Sequence, residues 1–177
     1  MDNKNTKNIV RAAILLAIAI VVQFIGKNVP EINQFLVGPL VNSVLLLTAF
    51  ICGTKWGGIT GALTPIMALL VGQLAQPMMP FIPFIMIGNI LFVIIFGLLK
   101  DRNFGIYIGI VVGAFFKFLF LYLSATKLVY VFGLNIPEKV LSKLAVSMGV
   151  IQFITAIAGG IITLIIIKIL KNRKIAI

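Results

Sequence analysis

The chain has 177 residues, is 61 % hydrophobic and has a mean hydropathy of +1.19. Soluble domains are nearer about 45–50 % apolar, so this is an integral membrane protein with almost nothing left for a soluble domain. The formal charge of +11 does not mark a nucleic-acid binder, because the cations sit at segment ends, where membrane topology accounts for them. No histidine exists and Cys52 stands alone, which excludes a zinc site, a disulfide and a Cys/His nucleophile pair.

Six apolar segments follow in order, read as an all-α integral membrane protein with a single membrane domain over residues 1–177. The first runs about Ile9 to Ile25. It lacks a small-residue cleavage site and continues into more membrane, so it is not read as a cleavable signal. A polar connection, GKNVPEINQF, holds Asn33 and Gln34. The second segment, about Leu36 to Cys52, carries Asn42 in its outer part. The tight turn GTKWG leads to the third, about Gly58 to Leu74, with Thr64 and Pro65. After AQPMMP comes the fourth, about Phe81 to Leu99, with Asn89 near its middle. The fifth, Phe104 to Phe132, and the sixth, about Val140 to Leu170, are longer than the hydrocarbon core requires, so tilt or protruding ends are expected. Only helices satisfy the backbone over such lengths in lipid, giving a six-helix bundle.

The cations set the orientation. With both termini in the cytoplasm, the inner side holds ten of them, from Lys4 through Lys174. The outer side holds four: Lys27, Lys127, Lys139 and Lys143. That split satisfies the positive-inside rule. The outer connections carry the richer polar chemistry, which points to a ligand entering from outside.

One cation belongs to neither surface. Lys117 lies halfway along the fifth segment, with no acid inside that segment. An ammonium near the bilayer centre costs about 2.5–3.5 kcal/mol on insertion scales and is read first as a functional site. Gly105, Gly109, Gly113 and Lys117 follow every fourth residue and share one helix stripe, so Lys117 points into the bundle. Gln152 continues a small-residue stripe of its own, Ala145, Gly149, Gln152, Ala156 and Gly160. Asn89, Lys117 and Gln152 are therefore expected to form a polar centre in an apolar cavity, the usual anatomy of a small-molecule site. The nearest fixed acceptors expected for Lys117 are the Asn89 oxygen and helix carbonyls. A bound carboxylate or phosphate would supply the opposite charge.

The four acids, Asp2, Glu31, Asp101 and Glu138, lie outside the apolar segments, which excludes a buried carboxylate pair or proton relay. A self-sufficient small secondary transporter of an organic anion should show an internal repeat or a membrane carboxylate, and neither is visible. An intramembrane enzyme needs a nucleophile and base within reach, and Lys117 is the only base candidate.

The first segment, RAAILLAIAIVVQF, places Ala13 and Ala17 four apart, a spacing that opens a face for another helix. With six helices, cytoplasmic ends, this length and a polar outer pocket, the chain resembles a substrate-binding S component of an energy-coupling factor (ECF) transporter. Ala13 and Ala17 look like that family's AxxxA docking motif for the transmembrane coupling subunit. KWGGITGAL and PFIPFIMIGN are similar to its third and fourth helices. The resemblance implies a subunit of the cell membrane, without a cofactor or enzymatic activity. It would capture a vitamin-like small molecule while two cytosolic ATPases supply energy. Consistent with that division, the sequence has no G-x-x-x-x-G-K-[ST] phosphate loop. Carried over by position, ligand contacts fall to Asn33, Gln34, Asn89, Lys117, Tyr122 and Gln152.

Overall fold

A computed structural model describes residues 3–29, 33–134 and 136–173, the side chains of residues 3, 33 and 34 excepted. The described residues are helical almost throughout: α1 (Asn3–Gly26), α2 (Asn33–Ile51), α3 (Thr54–Leu70), α4 (Ile82–Leu99), α5 (Gly105–Leu123), α6 (Val129–Val131), α7 (Glu138–Ser147) and α8 (Val150–Asn172). Gln76–Phe81 forms a tighter helical run into α4, and Ser124–Leu128 a wider π-type turn joining α5 to α6. Four stretches are long and apolar enough to cross a membrane: Lys4–Gly26, Gln76–Leu99, Gly105–Val131 and Val150–Asn172. Phe35–Ile51 is a shorter apolar helix.

The sixth expected segment differs most from the sequence reading. It divides at Met148–Gly149 into the short α7 and the spanning α8. Gly149 lies outside helical geometry, at ψ −139°. Ala145 therefore does not share one straight stripe with Gln152, Ala156 and Gly160. The cause is local: α7 mixes Glu138, Lys139, Ser142 and Lys143 with apolar residues, an amphipathic composition suited to an interface. Hydropathy averaging over the whole segment hides that change. Asn33 and Gln34 also move, from the connection into the first turn of α2.

Helices α2, α3, α4, α5 and α8 pack each against the next and close a ring, α8 returning onto α2. α1 lies outside the ring, against α2 and α3. Its position shows in its burial: 22 % of its apolar window is covered, against 33 % in the other three long spans.

Two apolar clusters fill the ring. One gathers Leu45, Leu46, Phe92, Phe96 and Ala114; the other gathers Phe81, Leu121, Leu144 and Met148. Lys117 sits between them, one turn from Ala114 and one from Leu121. The glycine stripe below Lys117 is buried as its spacing predicts. Its purpose is close approach of α4 to α5: a Cβ on Gly113 would lie 2.8 Å from Cδ2 of Phe92. Gly159 does the same for α2 and α8, where a Cβ would lie 2.6 Å from Cβ of Asn42. Small residues at such contacts are how helices gain van der Waals contact without a hydrophobic driving force.

Gly113→Ala should therefore lower the thermal midpoint in detergent by an amount equivalent to about 1–3 kcal/mol, the range for overpacking. Gly58→Ala meets nothing within 4 Å and serves as control. Equal midpoints for the two variants would contradict the close α4–α5 contact.

Candidate functional site

Several polar side chains of the ring interior line one cavity of about 310 Å³. That volume is at the compact end of small-molecule sites, about 300–1,000 Å³. α2 contributes Val37, Val41 and Asn42; α3 contributes Thr64, Pro65 and Ala68; α4 and α5 contribute Asn89 and Lys117. Met148 at the α7–α8 break, Gln152 and Thr155 close another wall, and Gln23 reaches in from α1.

Lys117 is 4 % exposed. Its Nζ donates to Oδ1 of Asn42 at 2.6 Å and lies 5.5 Å from the centre of the Phe92 ring. Neither partner carries a formal charge: one is an amide dipole and the other the negative face of an aromatic quadrupole. No ion pair involves Lys117 among the described residues, whose two acids, Asp101 and Glu138, are exposed. The sequence reading nominated Asn89 as its nearest acceptor; the structure gives that place to Asn42. Asn89 sits on α4, which packs on α5, but its amide is already committed to α3.

Asn89 is occupied elsewhere, and Pro65 explains why. A proline has no N–H, so the carbonyl four residues earlier in α3, on Gly61, loses its helical donor. Nδ2 of Asn89 fills that vacancy at 3.0 Å and also donates to Oγ1 of Thr64 at 3.2 Å. The Thr64 hydroxyl donates to the same Gly61 carbonyl at 3.1 Å. The neighbouring Thr64 carbonyl accepts from Nε2 of Gln23 at 3.2 Å. Oε1 of Gln23 is buried with no partner among the described residues.

Gln152 lines the cavity and directs its Nε2 to Sδ of Met148 at 3.7 Å, a weak acceptor. Of the residues nominated from sequence, Asn89, Lys117 and Gln152 share the cavity without bonding one another. Tyr122 does not join them. It is 42 % exposed and stacks on Phe118 at 6.0 Å, on an outward face of α5. The side chains of Asn33 and Gln34 lie outside the described residues. The sequence reading did not nominate Gln23, Asn42 or Thr64. A glutamine in a segment otherwise as apolar as α1 was the available signal for Gln23.

Comparison with known families matches residues 7–171 to the one described as ECF transporter, substrate-specific component. Comparison with curated proteins and with solved structures finds no significant match.

Removing the Asn42 acceptor strands the ammonium. Asn42→Leu should destabilise the unliganded protein by about 1.5–3 kcal/mol, the value of a hydrogen bond to a charged group. Asn42→Asp, which keeps the acceptor and adds charge, should hold or raise stability. Chemical denaturation in detergent measures both. An Asn42→Leu protein as stable as wild type would mean that the ammonium has a better acceptor than Asn42.

Proposed function

The chain belongs to the substrate-specific components of ECF transporters, and on that premise we propose that its cavity at Lys117 captures a vitamin or related micronutrient from outside. Membership makes it a transporter's binding subunit in the cell membrane and not an enzyme. The observation that supports the site is Lys117 itself: a buried ammonium with an amide and a ring for company, facing an open cavity. Charge-assisted hydrogen bonds are roughly twice as strong as neutral ones, so an anionic or strongly electronegative ligand group would complete its shell. Asn89 and Gln152 are proposed as further contacts, joined by Asn42, which positions the ammonium.

The proposed topology has six spans with both termini cytoplasmic. α3, with 17 residues, is at the short end of the about 17–25 that cross a bilayer, and it packs between α2 and α4 as a full member of the ring. The ten-to-four distribution of cations supports the orientation.

α1 is the proposed docking element for the transmembrane coupling subunit, which would link the chain to two cytosolic ATPases. Ala13 and Ala17 are exposed on it, while Ala12 and Ala19 face the bundle. Ala13 and Ala17 are thus left exposed by the described residues.

Purifying the chain from its native membrane should bring an ATPase pair with it. Replacing both Ala13 and Ala17 with Trp should abolish that assembly and leave small-molecule binding by the isolated chain intact. Unimpaired assembly of the double variant would remove α1 from the interface.

A further inference from the structure

The amides that line the cavity are not equally committed. Asn42 gives its oxygen to Lys117. Asn89 gives its NH2 to Gly61 and Thr64, and Gln23 gives Nε2 to the Thr64 carbonyl. Gln152 differs. Its side chain makes one described bond, from Nε2 to the Met148 sulfur at 3.7 Å, and a thioether is a weak acceptor. Gln152 is also only half-buried, so surface remains on it for an occupant. The break at Met148–Gly149 puts it there, in the first turn of α8, its backbone N–H bonding the Gly149 carbonyl at 3.0 Å. Charge gives the second constraint. Lys117 is the one formal charge on the described lining. A ligand carboxylate on Lys117 brings the cavity to neutrality. An ammonium elsewhere on that ligand would then be a new charge at membrane depth, with no acid on the described lining to meet it. A hydroxyl, amide or keto group adds no charge and can bond a neutral amide, which both donates and accepts.

We propose that Gln152 sets the charge type of the ligand: the cavity takes a compact monoanion that carries a second, neutral hydrogen-bonding group, and it discriminates against zwitterions. This rests on the substrate-capture reading of the cavity and adds the second half of the ligand's chemistry. The anion meets Lys117, and the neutral group meets the Gln152 amide. The sulfur of Met148 holds that amide in the unliganded protein with a bond weak enough to yield to a hydroxyl or carbonyl. Gln152 thus acts by being polar without being charged. A carboxylate at the same position would instead complete a site for an amino acid.

Three matched probes test this: 6-hydroxyhexanoate, 6-aminohexanoate and 6-hydroxyhexanamide, titrated into detergent-purified protein. Wild type should bind 6-hydroxyhexanoate at least about tenfold more tightly than 6-aminohexanoate, because only the second brings an uncompensated charge. Gln152→Glu supplies the missing acid with the same side-chain length. It should shift the ratio of the two affinities toward 6-aminohexanoate by about tenfold or more. Equal binding of the two acids by wild type overturns the proposal, as does a ratio that Gln152→Glu leaves unchanged. If Gln152→Glu binds neither acid, Gln152→Met decides. That variant keeps the length and removes the amide. It should weaken 6-hydroxyhexanoate by about tenfold at an unchanged unliganded thermal midpoint. An unweakened Kd, or a midpoint that collapses, overturns the proposal. The capture reading fails separately if 6-hydroxyhexanoate and 6-hydroxyhexanamide bind wild type alike, or if Lys117→Met leaves their ratio unchanged. Absence of binding by all three probes to wild type overturns both.

Discussion

A single buried ammonium constrains the arrangement of this bundle. Lys117 lies at mid-depth between two apolar clusters, and its described partners are the Asn42 oxygen and the Phe92 ring. Dipoles and a π-face reduce the cost of holding that charge but do not neutralise it. The surrounding packing serves the same end. Gly113 admits Phe92 beneath the ammonium, and Gly159 admits Asn42 beside it. Both glycines therefore position the two groups that Lys117 touches. An open cavity occupies the remaining side. On the proposed reading, the protein holds that charge for a ligand group of opposite sign.

A second constraint comes from Pro65. By withdrawing one donor from α3 it creates an acceptor that Asn89 and Thr64 fill, and this binds α4 to α3 at cavity level. Polar side chains are thereby committed to holding helices together while their remaining atoms face the cavity. Interhelical hydrogen bonds of this kind average only about 0.6 kcal/mol each, so their value lies in fixing orientation more than in stability. Gln23 extends the pattern to α1, the peripheral helix. Its bond to the Thr64 carbonyl fastens α1 to the ring on one face, while Ala13 and Ala17 stay open on another. One helix thus reaches both the cavity and the proposed coupling interface.

Much of this was legible before any coordinates. The all-helical membrane class followed from composition, and the family resemblance agrees with the match over residues 7–171. The inward stripe ending at Lys117 followed from four-residue spacing alone, and every member is buried. What spacing could not supply was the identity of neighbours across helices. Asn89 sits on α4, the neighbour of α5 in the ring, but its amide is committed to the Gly61 carbonyl, and Lys117 instead meets Asn42 of α2. The break at Met148–Gly149 was hidden because averaging over the whole segment merged amphipathic α7 with apolar α8. Tyr122 was misplaced for a related reason. It lies five residues from Lys117, about 140° around the helix from it, and therefore on an exposed face of α5.

The most direct test of the account is the small-molecule content of the protein purified from its own host. Wild type and Lys117→Met would be extracted and analysed by mass spectrometry, with the thermal midpoint of each protein measured after ligand removal. The account predicts an acidic molecule bound in wild type and depleted from the variant, an affinity loss of about 2–5 kcal/mol for truncating one partner of a buried charge pair. It also predicts an unliganded variant at least as stable as wild type, because a costly buried charge is gone. An unchanged molecular content together with a collapsed unliganded variant would make Lys117 a structural residue and contradict the account.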